Sequence, residues 1–199
     1  MRGSGRIIFR SGNNPQAEFK TSAGTFKVEF FVDQMPYTCA AIIDLIEKKY
    51  YDGLHFHRVI KDFMLQFGCP NSKDPTSRAC GTGGPKGNTT FKGFDGKTYA
   101  RDPGGNIQDE HTAKISNKPY TLSMANTGAK NTGGSQFFIN TVHNSYLDWF
   151  SPGQSKHPVF ARVVAGEEII DKINVVKTNS RDSPMTPVKM VSVTMLWKQ

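Results

Sequence analysis

One arginine occupies a position where a strand pattern predicts an apolar side chain. In the run LHFHRVI, Arg58 alternates in step with Leu54, Phe56 and Ile60, so a strand would place these four side chains on the same face. A guanidinium on such a face needs an ion-pair partner or a water-filled cleft. A structural ion pair at a strand end is the simpler interpretation of this run alone. A cleft that holds a functional arginine is the alternative.

Two later runs place apolar and amide side chains alternately on one face. Met64 and Gln66 share a parity in FMLQF, and Gln136 and Phe138 share one in SQFFINT. A hydrophobic pocket with a few placed polar groups has this composition. A packed core with satisfied amides has it too, so the pattern favours a binding pocket without establishing one.

Other kinds of catalytic site lack their motifs. His55 and His57 project to the same face of a strand, but no CxxC or HExxH spacing supports a metal site. The GTGG run at 81–84 lacks the Lys-Ser/Thr of a phosphate-binding loop, and Ser135 does not lie in a nucleophile elbow. We therefore expect no metal, nucleotide or other cofactor.

The cysteines are too few for a disulfide framework. Cys39, Cys69 and Cys80 are odd in number, which favours reduced thiols in the cytosol or nucleus. Cys39 lies in a predicted helix, where a buried structural thiol is the default. Cys69 and Cys80 bracket ten residues. A reversible disulfide between them is a further hypothesis, which requires this segment to fold back as a compact loop.

Length and charge narrow the class of protein. A chain of 199 residues with 37% hydrophobic and 21% charged residues fits one ordered domain. A net charge of +8 permits contact with nucleic acid, but the basic residues are scattered and no stacking motif is present, so we disfavour an RNA-associated protein. No apolar run suits a membrane span or a signal peptide. We expect a cytoplasmic protein, with the nucleus as the alternative compartment.

The periodicities predict many strands and two helices. Helices are predicted over 36–49 and 166–174, and strands over 24–33, 54–60, 63–67, 120–126, 135–141, 158–164 and 188–197. Strands in series with only two helices favour an antiparallel barrel or sandwich. Residues 1–20 are expected to form a basic, flexible arm. The irregular stretch 68–119 is either functional or a tolerated surface insertion.

Six motifs in order resemble the cyclophilins, a family of peptidyl-prolyl cis-trans isomerases. They are FHRVIKDFMLQFG (56–68), GTGG (81–84), LSMANTG (122–128), GGSQFFINT (133–141), LD (147–148) and HPVFARVV (157–164). The resemblance extends from about Gly24 to Leu196. It implies a closed eight-stranded antiparallel β-barrel capped by two α-helices, with the unassigned strands in or beside 81–119. The domain would then cover 21–199, and we expect a monomer.

The resemblance also assigns roles by position. Arg58 matches the family's catalytic arginine. The proline pocket is matched by Phe63, Met64, Phe138 and Leu147, with His157 on its rim. Residues that would contact the substrate backbone or line the groove are His57, Gln66, Gly81, Ala125, Asn126, Thr127 and Gln136.

Some positions depart from the family pattern. Tyr146 occupies a cyclosporin-contact position where many members have Trp, which puts affinity for that drug in doubt. Insertions are expected near 68–80, 85–106 and 149–156. Because they flank the groove, we expect them to influence which proteins dock there rather than the chemistry.

The implied activity is rotation about Xaa-Pro peptide bonds in proteins, which assists folding or conformational switching. The intact set of Arg58, Phe63, Gln66, Phe138 and His157 favours an active isomerase. The alternative is a proline-peptide binding module or assembly subunit with weak turnover, which the insertions and the basic arm favour.

Overall fold

The computed structural model describes residues 14–197, which form ten strands and two α-helices. The helices are α1 (Pro36–Glu47) and α2 (Glu167–Asn174). The strands are β1 (Gln16–Thr21), β2 (Gly24–Phe30), β3 (Arg58–Ile60), β4 (Met64–Phe67), β5 (Thr90–Lys92), β6 (Thr98–Ala100), β7 (Thr121–Met124), β8 (Phe137–Asn140), β9 (Val159–Ala165) and β10 (Met190–Leu196). Short 3-10 turns occupy Pro70–Lys73 and Ser145–Leu147. No helix within 14–197 is long and apolar enough to cross a membrane.

Eight of the strands form one curled antiparallel sheet. Its order is β10-β1-β2-β9-β7-β8-β4-β3, and α1 and α2 pack against it. The mainly β class, the eight antiparallel strands and the two helices are confirmed. The sheet is an open half-barrel rather than a closed barrel, because the edge strands β3 and β10 share no ladder. The segments 53–56 and 188–190 exchange backbone hydrogen bonds across the gap, for example from Gly53 N–H to the Met190 carbonyl at 2.8 Å.

The missing strand lies in the predicted arm and not in the region 81–119. Strand β1 pairs with both β2 and β10, so residues 16–20 belong to the sheet. Ala17 and Phe19 are buried and alternate with the charged Glu18 and Lys20, but two apolar residues make too short a pattern to predict a strand. Within 81–119, β5 and β6 form a separate two-stranded sheet. Residues 1–13 of the predicted arm lie outside the described residues.

Helix α1 is capped by a side chain from a distant loop. Pro36 occupies the first turn, where its missing N–H leaves no partner unsatisfied. The Glu110 carboxylate accepts hydrogen bonds from the backbone N–H groups of Tyr37 and Thr38, at 3.0 and 2.7 Å. This carboxylate satisfies two of the free N–H groups at the helix N-terminus and also suits the positive end of the helix dipole.

The pleat of the sheet divides its side chains between two faces. Val59, Leu65 and Ile139 point into the main hydrophobic core. Their neighbours along the same strands, among them Met64 and Phe138, point to the opposite face and form a second, smaller apolar cluster. Alternation therefore produces one packed core and one separate cluster on the outer face of the sheet.

Candidate functional site

A row of three side chains crosses three neighbouring strands on that outer face. Arg58 on β3 lies opposite Gln66 on β4, and Gln66 lies opposite Phe138 on β8. Directly opposed residues of antiparallel strands hold their Cβ atoms roughly 5 Å apart. The register of the sheet therefore brings together a cation, an amide and an aromatic ring, the first and last of which are 80 residues apart in the sequence.

Arg58 is only loosely paired. Its side chain is 45% exposed, and its Nε atom lies 3.6 Å from the Asp182 carboxylate, which is equally exposed. An ion pair of this kind contributes little to stability. The arginine thus has an ion-pair partner at the strand end and also faces water.

The apolar cluster lies beside this arginine. It consists of the buried Met64, Phe138 and Leu147, with Phe63, Ala125 and Ile60 packed against it. The four side chains predicted for the proline pocket are thus brought together. Tyr146, 58% exposed, stacks on Phe63 with ring centroids 6.4 Å apart.

His157 closes one side of the cluster in a defined tautomer. Its ring meets Phe138 edge-on at 5.3 Å, and its Nδ1 atom lies 2.9 Å from the Met124 carbonyl oxygen. Because a carbonyl only accepts, Nδ1 carries the proton and Nε2 is the free acceptor. Burial lowers the pKa of His157, so the ring is neutral at pH 7.

His57 is buried next to Arg58 without a hydrogen bond of good geometry to either ring nitrogen. Burial above all, and then the neighbouring Arg58 guanidinium, lowers the pKa of His57 to about 4, against a smaller opposing effect of the Gln136 side chain. Gly81 lies against this ring with a φ of +89°, a backbone conformation that glycine adopts without strain.

Two glutamine side chains link the sheet to the 81–84 loop. Gln66 donates to the Gln136 side-chain oxygen at 3.0 Å. Gln136 in turn donates to the carbonyls of Gly81 and Gly83, at 2.9 and 2.8 Å. The amide of Gln136 is therefore occupied in holding the loop, whereas the side-chain oxygen of Gln66 has no hydrogen bond within the described chain.

Asn126 offers its backbone rather than its side chain. Its amide nitrogen donates to the Lys156 carbonyl at 2.8 Å, and its side-chain oxygen accepts from the Gly128 N–H at 3.0 Å. Its own backbone N–H and carbonyl make no hydrogen bond to residues 14–197. They are available to pair with an extended peptide, as an unpaired strand edge would be.

A cavity of about 420 Å³ lies next to the apolar cluster. Its walls include six of the predicted groove residues, namely Gln66, Gly81, Ala125, Asn126, Thr127 and Gln136. Thr82, Asn106 and Thr132 line it too, and sequence analysis missed all three. Ala125 belongs to both the cavity and the apolar cluster, so the two parts form one continuous groove.

A buried polar network beneath the cluster also escaped the sequence analysis. The Asp148 carboxylate accepts from the backbone and side-chain N–H groups of Asn117, at 2.7 and 2.8 Å, and from Ser116. Asn140 and Asn144 extend the network, and Asn144 donates to the Phe63 carbonyl at 3.0 Å. Asn140 lies two residues after Phe138 on the same strand, so the sequence could have indicated that this polar side chain shares the outer face with Phe138.

The segments predicted as insertions touch the groove at three points. Asn71 donates to the Thr82 hydroxyl, Asn106 lines the cavity, and the Lys156 carbonyl accepts from Asn126. Trp149 stacks on His111 with ring centroids 5.1 Å apart. Cys39, Cys69 and Cys80 are all free thiols, so the hypothesised disulfide is absent. Among residues 14–197, no three His, Cys, Asp or Glu side chains gather as a metal site.

Comparisons with known proteins agree with this geometry. A family model described as "Cyclophilin type peptidyl-prolyl cis-trans isomerase/CLD" matches residues 16–195. Peptidyl-prolyl cis-trans isomerase-like 1 of Aspergillus fumigatus is 37% identical over 87% of this chain and 90% of its own length. Peptidyl-prolyl cis-trans isomerase ppi1 of Schizosaccharomyces pombe is 35% identical over 90% of this chain and 97% of its own length.

Solved structures share the fold. A crystal structure of a Cryptosporidium parvum cyclophilin-type isomerase superposes with a TM-score of 0.73 at 23% identity, and covers 94% of this chain and 99% of its own. A second crystal structure of that protein, in the presence of the dipeptide Ala-Pro, gives a TM-score of 0.72 at 23% identity over 92% and 99% of the two chains. From the family match and the relatives, this chain belongs to the cyclophilins and is a peptidyl-prolyl cis-trans isomerase.

Proposed function

We propose that the groove of Arg58, the apolar cluster and the adjoining cavity is the site of isomerisation of Xaa-Pro bonds in proteins. The barrier to rotation is about 18–20 kcal/mol, because conjugation gives the C–N bond partial double-bond character. The catalyst therefore has to favour the twisted amide. No covalent bond has to form or break.

Arg58 is suited to this task. In the twisted state the prolyl nitrogen regains its lone pair and becomes a hydrogen-bond acceptor. A guanidinium always carries its protons, so it donates to that nitrogen without transferring a proton. The bond exists in the twisted state and is absent in the planar one, which is the condition for lowering the barrier. The loose contact with Asp182 leaves donors of Arg58 available.

The other residues would bind the peptide on the two sides of the rotating bond. Phe63, Met64, Phe138 and Leu147 bury the proline ring, with His157 at the rim. The backbone of Asn126 and the free side-chain oxygen of Gln66 bind the flanking peptide. Gln136 acts through the 81–84 loop, since its own amide is already occupied. The Cryptosporidium parvum relative studied with Ala-Pro supports a proline-containing ligand.

The observation that carries this proposal is the register of the sheet, which aligns Arg58, Gln66 and Phe138 on the outer face beside a separate apolar cluster. The test is cis-to-trans exchange of an Ala-Pro-Phe peptide, measured by NMR. Arg58→Ala should lose about 10- to 100-fold in kcat/KM, the contribution of one charge-assisted hydrogen bond. Arg162→Ala, which removes an exposed arginine from β9, is the matched control and should retain full turnover. Full turnover by Arg58→Ala would refute the assigned role.

The second candidate is a proline-peptide binding module with weak turnover. It is favoured by the contacts of the insertions with the groove, such as Lys156 with Asn126. A wild-type protein that binds the peptide but accelerates exchange less than about tenfold, which is 1.4 kcal/mol, would favour this second function.

The remaining expectations are also proposals. We propose one isomerase domain that is monomeric and acts in the cytoplasm or nucleus. Tyr146 stacks on Phe63 at the rim of the groove, so a bulkier ring there would add contact area for cyclosporin. Tyr146→Trp should bind that drug more tightly than the wild type in a calorimetric titration. Equal affinities would show that position 146 does not control drug binding.

A further inference from the structure

Cys69 makes contacts that neither a core thiol nor a disulfide explains. Its side chain is fully buried beneath the 81–84 loop. Its sulfur accepts two hydrogen bonds from that loop, from the N–H of Gly81 at 3.1 Å and from the N–H of Gly83 at 3.3 Å. The Cys69 thiol also donates to the Ala79 carbonyl at 4.0 Å, and the Cys80 thiol donates similarly to the carbonyls of Asn71 and Asp74. The two cysteines differ as acceptors, because no N–H among residues 14–197 donates to Cys80.

The same two glycines are held from their other side. The Gln136 amide donates to the carbonyls of Gly81 and Gly83, while the Cys69 sulfur accepts from their N–H groups. Donor and acceptor groups of both residues are thereby satisfied by two side chains of opposite hydrogen-bonding character. Neither side chain alone fixes the loop, because a chain held at its carbonyls only can still rotate about them.

The position of this loop determines the shape of the groove. Gly81 and Gly83 line the 420 Å³ cavity, and Gly81 also lies against the His57 ring, the residue before Arg58. Gly83 is already close to Pro70, since a Cβ placed on it would lie 2.9 Å from a carbon of that ring. A shift of the loop therefore changes the cavity wall or presses on its neighbours.

We propose that Cys69 is a positioning residue of the isomerase, whose sulfur holds the Gly81–Gly83 segment in the conformation that completes the substrate groove. The proposal rests on the assignment of this groove as the catalytic site. The residue does not touch the substrate and acts through the loop. Its defect should therefore appear in substrate binding and not in the chemical step.

The wild-type protein provides a first test without any substitution. Gly84 belongs to the same loop, and its N–H makes no hydrogen bond within the described chain. In amide hydrogen exchange followed by NMR, Gly81 and Gly83 should be protected relative to Gly84. Exchange of all three amides at the same rate would overturn the proposal.

Substitutions of Cys69 then distinguish its role as a hydrogen-bond acceptor from its role in packing. Cys69→Ala removes the acceptor of both N–H groups and should raise KM about fivefold, which corresponds to about 1 kcal/mol, with kcat unchanged. Cys69→Ser retains an acceptor and should restore KM to within about twofold of the wild type. Cys80→Ala is the matched control and should leave KM and the Gly83 amide shift in place; the Gly81 shift is not compared in this variant, because Cys80 directly precedes Gly81 in the chain.

Two outcomes overturn the proposal after these measurements. One is a Cys69→Ala protein with wild-type KM and unmoved Gly81 and Gly83 amide shifts. The other is an equal defect in the Ser and Ala variants with a matching loss of thermal stability, which indicates packing. An error in the catalytic assignment of the groove would give a different result from an error in the role of Cys69. In that case Arg58→Ala keeps its turnover, while hydrogen exchange still reports whether the sulfur holds the loop.

Discussion

The two halves of the groove are built in different ways. The apolar half is built largely on strands, since the register of β4 and β8 places Met64 and Phe138, and buried amides support the cluster. The cavity half is built on loops, and its wall is held by two hydrogen bonds that Gln136 donates and two that the Cys69 sulfur accepts. Sheet register costs many ladder bonds to change, whereas a loop shifts when one side chain is lost. The strand half should therefore govern turnover and stability, and the loop half should govern which peptides bind.

The largest effect is expected for Phe138→Ala. This ring is buried in the apolar cluster, so its removal should lower kcat/KM about 100-fold and the free energy of unfolding by about 3 kcal/mol. Peptide exchange by NMR and urea unfolding measure the two quantities. Phe150→Ala removes a more exposed ring from the 149–156 segment and is the control. If both variants behaved alike, the apolar half would not carry turnover.

The next effect concerns the support of that half. Asp148→Ala leaves the buried donors of Asn117 without their acceptor and should lower the free energy of unfolding by about 3 kcal/mol. Because the network reaches Phe63, kcat/KM should fall as well. Asp95→Ala, in an exposed hairpin turn, should change stability far less. A stable Asp148→Ala protein would mean that strand packing alone holds the pocket.

A pH experiment tests the boundary between the halves, where His57 lies. Its pKa is about 4 in the folded protein and near 6.5 when unfolded, so the unfolded chain binds more protons between these values. The free energy of unfolding is therefore highest, as far as His57 is concerned, above pH 6.5. It decreases as the pH falls towards 4, by up to about 3 kcal/mol.

Urea unfolding from pH 4 to 7 should therefore show a slope in the wild type that His57→Gln reduces. His143→Gln, at an exposed histidine, is the control and should keep the wild-type slope. An identical slope in the wild type and His57→Gln would place the proton uptake elsewhere in the chain.

The smallest effect is expected in the loop half. Gln136→Leu removes the donors to Gly81 and Gly83 and should raise KM about fivefold, with kcat nearly unchanged. Gln108→Leu, on an exposed loop, should match the wild type. A fall in kcat as large as that of Arg58→Ala would break the division between turnover and binding.

The sequence predicted most of the sheet from alternation alone. β2, β4, β7, β8 and β10 each fall within a predicted strand, β9 extends one residue beyond its own, and both helices begin within one residue of their predicted positions. β1 was missed because its alternating pattern contains only two apolar residues, Ala17 and Phe19, in a short segment next to a basic terminus. The run 54–60 was only partly correct, since a single bridge from His55 to Lys189 replaces the first half of the expected strand.

The site was less accessible to sequence reasoning than the fold. Parity indicated that Met64 and Gln66 share a face, as do Gln136 and Phe138, but parity cannot say which strands are neighbours. The resemblance assigned Gln136 to the substrate backbone, which stays a prediction, but sequence reasoning did not foresee that its amide donates to the loop. The network of Asn117 and Asp148 was missed because buried hydrogen bonds between distant residues produce no repeating pattern in the sequence.

By itself, the sequence determined which side chains share a face, because the two-residue period of a strand is a local property of the backbone. It also determined the family, since six motifs in order fix the chemical groups of the groove. The tertiary structure alone decided that the sheet stays open between β3 and β10, and that Arg58, Gln66 and Phe138 form one row. It alone placed the Cys69 sulfur under Gly81 and Gly83. Such contacts depend on strand order and on the path of loops, which long-range packing sets and local periodicity does not encode.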